Sequence, residues 1–118
     1  MEHVCPGVDP AQPGIYEWRI EGGGVYIGQY TRASRPRREY GRNVVNVLNA
    51  RPYRKGAPDR LRPIHLTLAE AVLSGRSVTL TFLENVPVKL DRNRRERELI
   101  AERRRAASQG GPQVLNAS

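Results

Sequence analysis

A single cysteine, Cys5, stands in the whole chain. That excludes an intramolecular disulfide and a cysteine-based zinc site. Histidine is almost as scarce: His3 and His65 are the only two, and neither has a plausible ligand set beside it in sequence. No run of about eighteen apolar residues is present, and the stretch MEHVCPGVDPAQP has no apolar signal-like core. A soluble, cytoplasmic protein with no membrane partner is expected. Acidic residues are in deficit, with 12 Asp and Glu against 20 Lys and Arg, a net charge of +8. Lysine is nearly missing as well, since only Lys55 and Lys89 occur, so the excess is carried by arginine. An anionic partner follows, nucleic acid first; the competing explanation is a solvated arginine-rich surface.

What is present begins with PGIYEWRIEGGGVYIGQY, Pro13 to Tyr30. Ile15, Glu17 and Arg19 alternate with Tyr16, Trp18 and Ile20; Val25, Ile27 and Gln29 alternate with Tyr26, Gly28 and Tyr30. Gly22 to Gly24 supply the backbone freedom of a tight turn, so a β-hairpin is predicted. Loop length decides the faces, because a one-residue slip moves every side chain across the sheet. A three-residue loop at Gly22–Gly24 would pair Glu21 with Val25 and set Ile20 opposite Tyr26. Tyr16 and Tyr26 then share a face with Trp18 and Gly28, whereas a two-residue loop would separate them.

The 118 residues suit one domain with a modest core. Residues 1–12 read as a flexible lead-in and 13–118 as the single domain. Tyr40, Val44, Val47 and Leu48 recur at helical spacing, predicting a helix over 36–49 with Pro36 at its first position. Arg35, Arg37 and Arg38 crowd its start. Cations there oppose the helix dipole, so a docking anion is a better reason for them than local stability. RPYRKGAPDRLR, 51–62, interleaves five cations with Tyr53 and reads either as a phosphate-tracking loop or as a solvated linker. A second helix is expected over 63–75, with His65 near its start, and a strand over 77–84. A third helix is expected over 93–108, stopped by Gly110, Gly111 and Pro112. The fold class expected is therefore α/β (α+β): a small central three-stranded, mostly antiparallel sheet, hairpin plus one later strand, flanked by about three helices.

In the third helix Leu99 and Ile100 bracket Glu96 on one face, while Glu98 and Glu102 point outward. Glu96 is the carboxylate carried toward the core, where an unpaired charge is costly. The alternative role for Glu96 is capping, in a box begun by Asn93. Glu98 and Glu102 read as solvated partners of surface arginines.

Gly14-Ile15-Tyr16, Tyr26-Ile27-Gly28, Glu96 with its apolar pair, and the closing PQVLN of Pro112 to Asn116 together resemble the GIY-YIG nuclease superfamily. The resemblance spans about residues 13 to 116. It implies a metal-dependent endonuclease that hydrolyses nucleic-acid phosphodiester bonds, DNA in first place, leaving 5′-phosphate and 3′-hydroxyl ends. Tyr16 would be the general base and Tyr26 would position the water or Tyr16. Glu96 would hold one Mg²⁺ or Mn²⁺. The family's arginine falls eight residues after the YIG glycine, where this chain has Pro36, which leaves Arg35 and Arg38 as the catalytic candidates. The family's histidine one turn later is absent. Arg37, Arg42, Tyr53, Arg54, Lys55, Arg62 and His65 are the candidate nucleic-acid contacts, with Gly28 and Asn116 as structural residues near the site. Targeting is left to a partner protein or a homodimer. The competing expectation is a non-catalytic DNA- or RNA-binding module on the same fold.

Overall fold

The structure is a computed structural model, and it describes residues 2–37, 71 and 74–116. Four strands and one long helix are complete within them: β1 (Glu2–Val4), β2 (Gly14–Ile20), β3 (Gly24–Tyr30), β4 (Val78–Asn85) and α1 (Lys89–Ala107). The strands form one mixed sheet in the order β1-β4-β2-β3. The fold is α+β, and its antiparallel centre β4-β2-β3 is the expected hairpin plus one later strand. Residues 34–37 are helical, as is Ala71. The remainder of the two expected helices at 36–49 and 63–75 lies outside the described residues.

Three expectations are corrected. The lead-in carries a strand: β1 pairs in parallel with β4, Glu2 opposite Leu80 and Val4 opposite Phe82, which makes the sheet four-stranded and mixed rather than three-stranded. All three β1 side chains are exposed, so the strand is held by backbone pairing and leaves no apolar alternation to read. The turn that follows is tied to the end of β4. Asp9 N–H donates to Asn85 Oδ1 (2.8 Å), and Asn85 Nδ2 donates back to the Asp9 carbonyl (2.9 Å). Secondly, the first helical segment starts at Ser34, two residues before the expected Pro36.

Thirdly, α1 starts at Lys89, four residues before Asn93, with Val88 at the N-cap and no side-chain capping bond. The segment KLDRNRRERELIAERRRAA is built from strong helix formers, which carry the helix back to the residue after Pro87-Val88. Asp91 in the first turn and Arg104 and Arg105 in the last suit the helix dipole. Asn93 is consequently interior. It accepts a hydrogen bond from Gln29 Nε2 (2.7 Å) instead of capping, so the capping box with Glu96 does not form.

The hairpin joins Ile20 to Gly24 through the three residues Glu21 to Gly23. The loop is odd, as expected, but begins one residue earlier than the Gly22–Gly24 loop: Trp18, not Ile20, faces Tyr26. An odd loop preserves the faces whichever residue it starts on. Gly22 (φ 70°) and Gly24 (φ 114°) occupy conformations that disfavour a Cβ.

The two faces of the sheet carry separate cores. Tyr16, Trp18, Ile20, Tyr30, Leu80 and Phe82 pack together on one side with Ala71. On the other, Ile15 and Ile27 receive Leu99 of α1, with Leu83, Val86 and Ile100 around them. Burying each of these large apolar side chains contributes about 1.5–3 kcal/mol. No helix among the described residues is long and apolar enough to cross a membrane.

Candidate active site

The register of the hairpin assembles the tyrosines. Tyr16 lies opposite Gly28 and Trp18 opposite Tyr26. The rings of Tyr16 and Tyr26 are 6.5 Å apart between centroids, inclined at 34°. A Cβ built on Gly28 would overlap Cζ and Oη of Tyr16. Glycine at this position is what lets the Tyr16 ring lie flat across the neighbouring strand. Because β3 ends the strand order on that side, the Tyr16 ring reaches toward the sheet edge.

Sequence reasoning did not place a third tyrosine in the site. Tyr30 is on the same face, 6.3 Å from Tyr16 and 5.2 Å, edge-on, from Phe82. Its hydroxyl is buried and has no hydrogen-bond partner. Burial, and secondarily the negative charge of Asp9, push its pKa above the usual tyrosine value. The shared parity of Tyr16, Tyr26 and Tyr30 along the hairpin was the available signal.

The arginines near the first helical segment do not behave alike. Arg35 is exposed, and Pro36, at the family's arginine position, is buried. Arg37, expected to contact nucleic acid, holds both carboxylate oxygens of Glu2 at 2.6 Å. Its guanidinium carbon stands 5.4 Å above the Phe82 ring. Arg32 and Arg37 line an open cleft of about 470 Å³ together with Asp9; Asp9 and the paired Glu2 leave little net positive charge there. Arg38, Arg42, Tyr53, Arg54, Lys55, Arg62 and His65 lie outside the described residues.

Glu96 is half-buried on the sheet-facing stripe of α1 formed by Arg92, Asn93, Leu99, Ile100 and Arg103. Glu98 and Glu102 are exposed and ion-paired, with Arg95 (3.1 Å) and Arg103 (3.5 Å), as outward acids should be. The structure does not put Glu96 on the tyrosine face. Its helix packs against Ile15 and Ile27, on the reverse side of the sheet. Among the described residues the most deeply buried carboxylate is another one, Glu17, held by Arg103 (2.8 Å) and Arg19 (3.4 Å). Glu17 shares its strand parity with Ile15, which was the sequence signal for a helix-facing acid.

Asn116 closes the outer edge of β3. Its side chain accepts from the Ile27 N–H (2.9 Å) and donates to the Ile27 carbonyl (2.7 Å), as a paired peptide would. Just before it, Val114 bridges Val25 in parallel. The central residue of Tyr26-Ile27-Gly28 is thereby pinned from the edge, consistent with a structural place for Asn116 beside the tyrosines.

Among the described residues no three His, Cys, Asp or Glu side chains gather as a metal cluster. A single carboxylate such as Glu96 fits a hard divalent ion that keeps most of its water, the habit of Mg²⁺, and does not fit a closed protein cage. Comparisons with protein-family models, curated proteins and solved structures return no match for this chain.

Proposed function

We propose that the chain is a GIY-YIG-type, metal-dependent endonuclease acting on nucleic-acid phosphodiester bonds, DNA foremost. The observation that carries this reading is the register that sets Tyr16 beside Tyr26 with its ring laid over Gly28. That arrangement makes chemical sense of both tripeptides: one supplies the hydroxyl, the other a second hydroxyl and the space for the first.

Hydrolysis requires a deprotonated water, neutralisation of charge on the phosphorus oxygens, and a stabilised 3′-oxygen leaving group. Tyr16 Oη takes the proton from the attacking water, and Tyr26 orients the water or the Tyr16 hydroxyl. A tyrosine at its ordinary pKa of about 10 is a poor base at neutral pH. The raised pKa of Tyr30 illustrates how burial on this face works against phenolate. Cationic charge must therefore stand near Tyr16 in the substrate complex. Arg35 or Arg38 carries phosphate charge through charge-assisted hydrogen bonds. Glu96 would hold one Mg²⁺ or Mn²⁺, which supplies Lewis-acid charge when bound. Glu96 and Tyr16 lie on opposite faces, so in this reading they would serve one phosphate only around the β3 edge, toward which the Tyr16 ring lies over Gly28. The products are 5′-phosphate and 3′-hydroxyl ends.

A second reading, a nucleic-acid-binding module without catalysis, is favoured by two observations: buried Pro36 at the arginine position and Arg37 taken up by Glu2. Plasmid nicking with Mg²⁺ or Mn²⁺ decides between them. Tyr16→Phe should reduce nicking by about 10²–10⁴-fold, the usual yield of a positioned base, and Glu96→Ala should remove its dependence on added metal. Undiminished nicking in both variants would sink the assigned site. DNA binding without cleavage under any divalent ion would establish the module.

A further inference from the structure

The outward side of α1 is divided lengthwise by charge. At about 100° per residue, Arg97 and Arg104 fall on one flank, Asp91, Glu98 and Glu102 on the other, and Arg94 and Arg105 along the outward ridge between them. All seven side chains are exposed. Contacts with the sheet orient the two flanks. On the acidic side, Arg95 bonds Glu84 of β4 (2.6 Å). On the basic side, Asn93 bonds Gln29 of β3, and Arg104 donates to the Asn116 carbonyl (3.3 Å) beside the outer edge of β3. The basic flank therefore borders the β3 edge. Arg97 sits along the helix between Asn93, which bonds Gln29, and Arg104, which bonds Asn116.

We infer that this flank is a binding surface for the phosphate backbone of duplex DNA. The inference rests on the nucleic-acid reading above and assigns the path of the substrate beside the tyrosines. Arg94 is partly neutralised by Asp91 (2.8 Å), and Arg105 falls about 20° from Glu98 on the helix surface, which leaves Arg97 and Arg104 as the principal cations of this flank. Arg97 and Arg104 are seven residues apart, about 10 Å along a helix axis, within reach of successive phosphates on one strand. The exposed acids Asp91, Glu98 and Glu102 lie away from that edge, so an approaching polyanion is attracted most strongly on the edge side. A merely solvated helix would gain by mixing its charges around the surface, since like charges along one flank repel.

The test is the salt dependence of binding to a fluorescently labelled 20-base-pair duplex, measured without divalent metal so that cleavage does not interfere. The double variant Arg97→Ala/Arg104→Ala should flatten the slope of log affinity against log salt by about 2, roughly 0.9 for each phosphate no longer neutralised. Arg97→Lys/Arg104→Lys keeps the point charges and should retain the parent slope. An unchanged slope in the alanine variant overturns the inference, as does an equal loss in the lysine variant, which would indicate a fold defect. The two readings fail separately. Metal-dependent cleavage with an unchanged slope would remove the surface and keep the nuclease; a flattened slope in a chain that never cleaves would do the reverse.

Discussion

The two faces of the sheet solve opposite problems with the same strands. On the aromatic face, hydroxyls are brought into an apolar layer, and at least one of them, Tyr30 Oη, is buried without a partner. On the helix-covered face, full charges are buried and largely paired: Glu17 with Arg103 and Arg19, and Arg92 with the carbonyls of Val86 and Pro87, though Arg92 Nε is buried without a partner. An unsatisfied polar group costs about 1–3 kcal/mol, so a fold keeps one where something else requires it. The reverse face spends its polar groups on ion pairs that hold α1 to the sheet, while the aromatic face buries the Tyr30 hydroxyl in an apolar layer.

Breaking the reverse face should have the largest effect on stability. Arg103→Met leaves Glu17 with only the exposed, longer contact to Arg19, and should cost about 3 kcal/mol in urea unfolding. Adding Glu17→Leu should recover much of that loss, because removing both charges also removes the desolvation penalty. If the single variant unfolds at the parent midpoint, the pair is not what secures that face. Nicking per folded molecule should survive the double variant.

On the aromatic face the order reverses, with function hit harder than stability. Gly28→Ala puts a methyl group where the Tyr16 ring lies, an overpacking worth about 1–3 kcal/mol. The displaced ring should lose the activity that Tyr16→Phe loses, which a plasmid assay on folded protein will read. Activity at the parent level would mean that the position of Tyr16 over Gly28 does not matter.

Tyr30→Phe tests that burial itself. Removing an unpartnered buried hydroxyl should stabilise the fold by about 1 kcal/mol, seen as a higher denaturation midpoint. A loss of stability would show that the hydroxyl contributes to the fold, and the contrast between faces would narrow.

The smallest effect belongs to Glu2 and Arg37, which join β1 to the aromatic face. The Arg37 guanidinium, chiefly through its hydrogen bonds, holds the Glu2 carboxyl below its usual pKa. A depressed carboxylate contributes stability that is fully present above its unfolded value, about 4.3, and lost as pH falls through the lower folded value. Both side chains are substantially exposed, so screening should leave only a few tenths of a kcal/mol. Glu2→Gln should accordingly lower stability slightly at pH 7 and not at all at the acid end of that window. A drop above about 1 kcal/mol, the ceiling for an exposed pair, would make β1 a structural strand of greater consequence than its exposure implies.

Much of this was legible in the residues. The glycine triplet and strict alternation required an odd or an even loop, and the aromatics made sense only with an odd one; the exact pairing slid by one position without disturbing the faces. The stripe of Leu99, Ile100 and Glu96 was readable because helical period is a local property. The start of α1 was less so: Asn93 carries the chemistry of a cap, but Lys89 to Arg92 extend the helix through propensity and leave it interior. Strand β1 was illegible for a plainer reason, since it buries no side chain and exists only because β4 offers an unpaired edge. Glu17 and Arg103, 86 positions apart, could be paired only by the packing of α1 on the sheet.

The sequence by itself determined which side chains travel together: three tyrosines on one side of a hairpin, one acid on the buried stripe of a helix, and an asparagine after a short apolar run at 114–115. Periodicity of two in strands and 3.6 in helices is enough for that. Only the tertiary structure decided which face α1 covers, because either side of a sheet can accept an apolar stripe. That choice puts Glu96 behind the sheet and Tyr16 in front of it, so the proposed nuclease would need both to reach one phosphate around the β3 edge, pinned by Asn116.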